Sequence, residues 1–131
     1  MRQHLRQLRF FIPLCIFITA SAQNGGKAEP RRIEFARGTN SATFQDHIRG
    51  DEEAEYVFAA RQGQKLDVIV SSPAQKAIFR LVPADGGNSE FNIQGSKWSG
   101  AAPATGDYWL TVVAAHPNSK RINYTLRLTI K

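Results

Sequence analysis

An alternating stretch over residues 35–66 constrains the fold of this chain more than any other part of it. Apart from a polar Asp46, apolar side chains recur at every second position in three short runs: Ala42, Phe44 and Ile48, then Tyr56 and Phe58, then Leu66, Val68 and Val70. A period of two is that of a strand with one buried face, and Gly-containing turns separate the runs. The stretch therefore predicts consecutive strands and an all-β domain.

The rest of the chain supplies further strands of the same kind. Residues 123–131 alternate almost without exception, with Tyr124, Leu126, Leu128 and Ile130 on one face. The other predicted strands are residues 33–35, 65–71, 77–82 and 108–114. About eight short strands with a turn roughly every ten residues indicate an antiparallel β-sandwich of jelly-roll or immunoglobulin-like kind. No stretch keeps a helical period long enough to compete with this interpretation.

Two segments depart from simple alternation. Residues 77–82 are apolar at almost every position, which predicts burial on both faces apart from Arg80. Residues 88–103 contain Phe91, Ile93 and Trp98, but glycines and polar residues break any period. We expect residues 88–103 to form a long loop with one short strand. For Trp98, and for Trp109 on a later strand, the sequence leaves sheet packing and partner binding both open.

Residues 1–22 have the pattern of a secretory signal peptide. Three arginines precede an apolar run over residues 10–18, and the small residues at positions 20–22 provide a cleavage site. The alternative, a membrane anchor, needs a longer apolar run than this one. Cys15 follows the bulky Leu14 inside the run, so it is not placed as a lipidation site. We expect a flexible tail over residues 23–31 and a single domain over residues 32–131.

The exported chain is less basic than the full sequence, whose net charge is +6. Removing residues 1–22 leaves 109 of the 131 residues, with no cysteine, fourteen Lys and Arg, eleven Asp and Glu, and a net charge of +3. Such a domain has no disulfide and no thiolate chemistry, so its core and its sheets must stabilise it. Export and a weak positive charge argue against nucleic-acid binding, and no membrane association is expected after cleavage.

No catalytic or metal-binding pattern stands out in the exported chain. His47 and His116 are far apart in the sequence. The chain contains no G-x-S-x-G nucleophile elbow, no H-E-x-x-H zinc motif and no Gly-rich phosphate-binding loop. The acidic run over residues 51–55 lacks the spaced oxygen ligands of a calcium loop, and a solvated turn is the simpler interpretation. The sequence therefore predicts no enzyme, no cofactor and no metal site.

Three surface segments are candidates for partner binding. These are the acidic turn over residues 51–55, the loop over residues 116–121 with Lys120 and Arg121 at its end, and the segment around Trp98. A non-catalytic β-sandwich generally acts through its loops or one of its faces.

Several motifs resemble those of the bacterial periplasmic inhibitors of g-type lysozyme. The similar segments are IEFARG at 33–38, SATF at 41–44, IRG at 48–50, YVFAA at 56–60, GQKL at 63–66, PATGDY at 103–108 and NYTL at 123–126. Residues 72–102 match poorly. The pattern also resembles a wider class of exported pre-peptidase C-terminal-like β-sandwich modules, which are accessory or binding domains.

The resemblance implies a periplasmic protein whose partner is g-type lysozyme and whose loops block the muramidase cleft. It implies inhibitory loops at residues 50–53 and 116–121, and so partner-binding roles for Asp51, Glu52, His116, Lys120 and Arg121. The sequence departs from the family pattern here, because Asp51 stands where an aromatic residue is expected. His116 and Lys120 stand where arginines are expected. The alternative is an exported module that binds a glycan or an envelope protein.

Overall fold

Nine strands account for most of the chain that the structure describes. A computed structural model describes residues 30–85, 90–116 and 120–131. The strands are β1 (Arg31–Arg32), β2 (Ser41–Arg49), β3 (Ala54–Ala60), β4 (Lys65–Ser71), β5 (Ala77–Pro83), β6 (Ile93–Gly95), β7 (Lys97–Ala101), β8 (Gly106–Ala114) and β9 (Arg121–Ile130). A single 3-10 turn, Pro73–Gln75, precedes β5. The predicted signal peptide and most of the predicted tail lie outside the described residues, whereas Arg31 of that tail lies in β1.

The strands form two sheets. The five-stranded sheet has the order β1-β3-β8-β5-β6, and the four-stranded sheet has the order β2-β9-β4-β7. The pairing of β1 with β3 is parallel, and the other described pairings are antiparallel. This architecture confirms the predicted all-β sandwich, with nine strands where about eight were expected.

The core lies between the inner faces of the two sheets. Period-two alternation places every second side chain there, as the buried Leu66, Val68 and Val70 of β4 show. The largest fully buried side chains there are aromatic: Tyr56, Phe58, Phe79 and Tyr108. Burying side chains of this size contributes roughly 1.5–3 kcal/mol each relative to exposure, which compensates for the absence of disulfides.

A polar cluster closes one open edge of the sandwich, where β1 and β2 face each other. The Arg31 guanidinium donates to Asp46 Oδ2 at 2.8 Å and to the Tyr56 hydroxyl at 2.7 Å. The Tyr56 and Tyr124 hydroxyls lie 2.8 Å apart across the two sheets. Burial raises the pKa of both tyrosines, and the hydrogen bond to Tyr56 raises that of Tyr124 further. Because buried polar groups need partners, this cluster ties the two sheets together.

Tyr108, near the start of β8, fixes the turn that precedes this strand. The Tyr108 hydroxyl donates to the carbonyl oxygen of Ala104 and accepts the Ala104 N–H at 3.1 Å. Its ring stacks on Phe58 with 5.5 Å between the centroids. The hydroxyl thus anchors the turn before β8 to the core, so the turn and the strand are held in one arrangement.

Two predictions are wrong: the long loop over residues 88–103 and the two-sided burial of residues 77–82. Residues 88–103 hold two strands, β6 and β7, where one short strand in a loop was expected. Both strands are short and contain a glycine, which hid their alternation.

Trp98 of β7 is half-buried and lies edge-on to Phe91. Gly100 leaves room for the indole, because a Cβ there would lie 2.5 Å from Trp98 Cζ2.

Strand β5 is buried on one face only. Ala77, Phe79 and Leu81 point into the core, whereas Ile78 and Val82 lie half-buried on the outer face of the five-stranded sheet. The expected burial on both faces fails because no further layer of the described chain covers this sheet. An apolar outer position on this open sheet is therefore a surface feature.

Candidate functional site

The acidic turn and the 116–121 loop meet at one end of the sandwich. Strands β2 and β9 pair in a register that places Arg49 opposite Arg121. The chain therefore leaves β2 beside the point where it enters β9, and the Gly50 N–H donates to the Lys120 carbonyl at 3.4 Å. The structure thus brings together the two segments that the resemblance implies, although they are some seventy residues apart in sequence.

The acidic turn presents less free negative charge than its sequence indicates. Gly50 adopts a φ of 43°, a left-handed conformation that favours glycine. The Glu52 carboxylate accepts the Arg49 backbone N–H at 2.8 Å, and the Glu52 N–H donates to the Arg49 carbonyl. Glu53 forms an ion pair with Arg80 at 3.0 Å. Glu52 therefore stabilises the turn itself, whereas Asp51 stands exposed at its tip.

The 116–121 loop is held at both ends. At its start, the Ala115 N–H donates to the Lys76 carbonyl at 2.7 Å, which ties the loop to the turn before β5. At its end, the Lys120 carbonyl accepts the Gly50 N–H. His116 and Lys120 are exposed, and residues 117–119 lie outside the described part of the chain. Fixed ends lower the conformational entropy lost when such a loop binds a partner.

Arginine side chains add positive charge beside the loop. Arg49 and Arg121 both point to the outer face of the four-stranded sheet, because their neighbours Ile48 and Ile122 are buried. Arg121 Nε donates to Asn123 Oδ1 at 3.3 Å. Like charges directly opposite each other destabilise a sheet, so a pair of this kind is more readily explained by binding than by folding. Sequence reasoning missed Arg49, because only the strand register places it next to Arg121.

The site offers charge and hydrogen bonds but no assembled catalytic group. His47 Nδ1 lies 3.5 Å from Asp46 Oδ1, yet Asp46 already accepts from Arg31. Within the described residues, no three His, Cys, Asp or Glu side chains are grouped closely enough to hold a metal ion. None of the described residues forms a helix long and apolar enough to cross a membrane. The arrangement is suited to docking on a partner of opposite charge.

Comparison with known proteins supports the same interpretation of the chain. No family model matches the sequence. A relative described as "Inhibitor of g-type lysozyme", from Escherichia coli (strain K12), is 26% identical over 135 residues, covering 96% of this chain and 95% of the relative. The resemblance inferred from the motifs is thereby confirmed.

Two solved structures share the fold. The periplasmic inhibitor of g-type lysozyme from Salmonella Typhimurium is 28% identical, with a TM-score of 0.69 over 79% of this chain and 99% of that one. The pre-peptidase C-terminal domain of a collagenase from Bacillus anthracis is 20% identical, with a TM-score of 0.56 over 82% of this chain and 100% of that one. The second match shows the fold alone and agrees with the wider class of exported β-sandwich modules.

Proposed function

We propose that this protein is a non-catalytic, periplasmic inhibitor of g-type lysozyme. The observation that carries the proposal is the near full-length similarity to such an inhibitor. It is supported by the convergence of the acidic turn and the 116–121 loop at one end of the sandwich. Export by the predicted signal peptide would deliver the protein to the compartment where cell-wall hydrolases act.

The proposed mechanism is occlusion of the enzyme's cleft. A glycosidase cleft contains carboxylates, one of which must act as general acid, so the cleft attracts cations. A guanidinium or ammonium group presented there on a fixed loop forms charge-assisted hydrogen bonds to those carboxylates and excludes the sugar. The inhibitor needs no catalytic group of its own, since rigid presentation and charge complementarity suffice.

We assign the contact surface to His116, Lys120 and Arg121, and we add Arg49 on the basis of its register. Lys120 and Arg121 supply fixed positive charge at the loop's end, and Arg49 lies directly across from Arg121. Among the acidic residues, Asp51 lies at the tip of the turn and faces the same partner. Glu52 supports this surface indirectly, because its carboxylate closes the turn that holds Gly50 beside Lys120.

The direct test is an assay of lysozyme activity on bacterial cell walls with the exported protein added. Lysozymes of g-, c- and i-type are run in parallel, so that each serves as a control for the others. We expect selective inhibition of the g-type enzyme at sub-micromolar concentration. Equal inhibition of all three types, or of none, would contradict the proposal and favour the alternative of a binding module for a glycan or envelope protein.

A further inference from the structure

The outer face of the five-stranded sheet carries a shallow groove of about 310 Å³ that the proposed inhibition does not use. Its floor is set by cross-strand register. One row is apolar: Trp109 of β8 and Val82 of β5 line the groove, and Val57 of β3, opposite Trp109, continues the row beyond it. The next row of the same face, two residues further along each strand and about 7 Å away, is polar and consists of Glu55, Thr111, Arg80 and Gln94.

The polar side chains of the groove are available to a ligand. Within the described residues, no hydrogen bond or ion pair engages the side chains of Glu55, Asn92 or Gln94, or the indole N–H of Trp109. None of these groups is buried without a partner, so solvent reaches them. Unlike Trp98, which packs against Phe91, Trp109 has no aromatic neighbour among the described residues.

One charged pair in the groove is already formed. Arg80 donates to Glu53 at 3.0 Å, with 41% and 48% of the two side chains exposed. The pairing orients a planar guanidinium that retains further N–H donors and a carboxylate that retains further lone pairs. Such a pair offers both donors and acceptors to two adjacent hydroxyl groups of a ligand.

We propose that this groove binds a neutral oligosaccharide of pyranose rings. The C–H face of a sugar ring is apolar and flat, and it suits the half-buried indole of Trp109 with Val82 beside it. The hydroxyls around the ring's edge reach the polar row, where acidic, amide and guanidinium groups supply both donors and acceptors. A purely apolar ligand would leave that row unpaired, which costs free energy.

Charge restricts the ligand further. Glu53, Glu55 and Arg80 give the groove a net charge of −1 at neutral pH, so a polyanionic glycan is disfavoured. Glu53 and Glu55 belong to the acidic turn, so the groove adjoins the proposed inhibitory end, but Trp109 and Arg80 lie on the other sheet from Arg49 and Arg121 and are not assigned to lysozyme contact.

Isothermal titration calorimetry of the exported protein with chitotetraose and with cellotetraose tests the proposal. We expect binding of at least one neutral tetrasaccharide, a loss of affinity of at least about tenfold in Trp109→Ala, and a smaller loss in Arg80→Ala. Asp67→Asn, on the outer face of the opposite sheet, is the matched control and should bind like the wild type. In Trp98→Phe, the tryptophan fluorescence comes from Trp109 alone. It should change when the sugar binds, because the sugar covers that indole.

The contrary results are equally defined. No heat with either neutral sugar, or unchanged affinity in both Trp109→Ala and Arg80→Ala, would overturn the proposal. Tighter binding of a heparin-derived tetrasaccharide or of a proline-rich peptide would also overturn it, because it would assign the groove to another class of ligand. Trp109→Ala should still inhibit g-type lysozyme, so failure of this proposal and failure of the proposed function can be told apart. Thermal unfolding confirms that each variant is folded.

Discussion

At the scale of single residues, the candidate surface separates side chains that hold the site from side chains that face a partner. The Glu52 carboxylate accepts the Arg49 N–H within its own turn, and Glu53 forms an ion pair with Arg80. Asp51 and Lys120 remain exposed on either side of the Gly50 contact. Sequence alone gave Asp51 and Glu52 the same role, and the hydrogen bonds distinguish them.

Replacing both Lys120 and Arg121 by alanine should weaken inhibition of g-type lysozyme by at least about tenfold. Hydrogen bonds to charged groups contribute roughly 1.5–3 kcal/mol each, and 1.4 kcal/mol corresponds to about tenfold in affinity. The measurement is the inhibition constant in the cell-wall assay. Arg127→Ala is the matched control, because Arg127 lies on the same face of β9 but about 20 Å further along it. Equal potency of the double variant and the control would refute the loop assignment.

Replacing Asp51 by asparagine should strengthen inhibition. The substitution keeps the size of the side chain and removes one negative charge that would repel an acidic cleft. Exposed charge interactions contribute about 0.2–1 kcal/mol, so we expect an improvement of up to about fivefold at low ionic strength. Glu34→Gln, an exposed acid outside the turn, is the control. Weaker inhibition by Asp51→Asn would show that the carboxylate makes a favourable contact.

At the scale of elements, the open edge between β1 and β2 depends on side chains from four strands. Arg31, Asp46, Tyr56 and Tyr124 belong to β1, β2, β3 and β9 respectively. The alternation of the sequence predicts both tyrosines on inner faces and has Asp46 as a polar exception. The structure explains the exception, because the carboxylate accepts the arginine that covers the edge.

The tyrosine pair should make stability fall at high pH. Burial raises the folded-state pKa of Tyr56 and Tyr124 above the unfolded value of about 10. Above pH 10 the unfolded chain therefore loses protons that the folded chain keeps, and the free energy of unfolding decreases as pH rises. Urea unfolding at several pH values between about 8 and 12 measures this slope.

The Tyr124→Phe variant tests the source of that slope. It should cost about 1 kcal/mol at neutral pH, where a hydrogen bond is lost, and should show a shallower decrease above pH 10. If the variant and the wild type lose stability in parallel, the pair does not cause the alkaline effect. The conservative change at a half-buried position on the outer face of β9, Thr125→Ser, serves as the reference.

At the scale of the whole molecule, charge differs between the two outer faces. The outer face of the four-stranded sheet presents one acid, Asp67, against five cations, because these positions alternate with buried or half-buried ones. The cations are Arg49, Lys65, Lys97, Arg121 and Arg127. The groove on the other sheet is slightly acidic. This asymmetry gives the molecule one face that attracts anionic partners, and that face continues into the end where Lys120 lies.

Association with the carboxylate-lined cleft of a lysozyme should therefore depend on salt. The Debye length falls from about 10 Å at 0.1 M salt to about 3 Å at 1 M, so distant charges on the basic face cease to contribute. Raising NaCl from roughly 0.05 M to roughly 0.5 M should lower the association rate constant by about tenfold, with a smaller effect on dissociation. Surface plasmon resonance measures both rates. A salt effect confined to dissociation would mean that only the contact charges matter.

The sequence by itself determined the class of fold and most of the strands, because a period of two records which side chains face the core. It also determined the family resemblance, through motifs that lie on β2, β3, β4, β8 and β9. It predicted one short strand where β6 and β7 lie, since Gly100 and its polar neighbours mask the alternation of a short edge strand. It also predicted two-sided burial for β5, since apolar composition does not show whether a further layer exists.

Only the tertiary structure decided which strands pair and in what register. The alternation that defines a face is local, whereas the partner of a strand depends on residues far away in the chain. That register places Arg49 opposite Arg121 and the row of Trp109 beside the row of Arg80. The candidate site and the groove are both products of pairing between distant segments. Local motifs pointed to the two loops of the site, but no local pattern shows that the loops meet, that Arg49 lies beside them or that the groove exists.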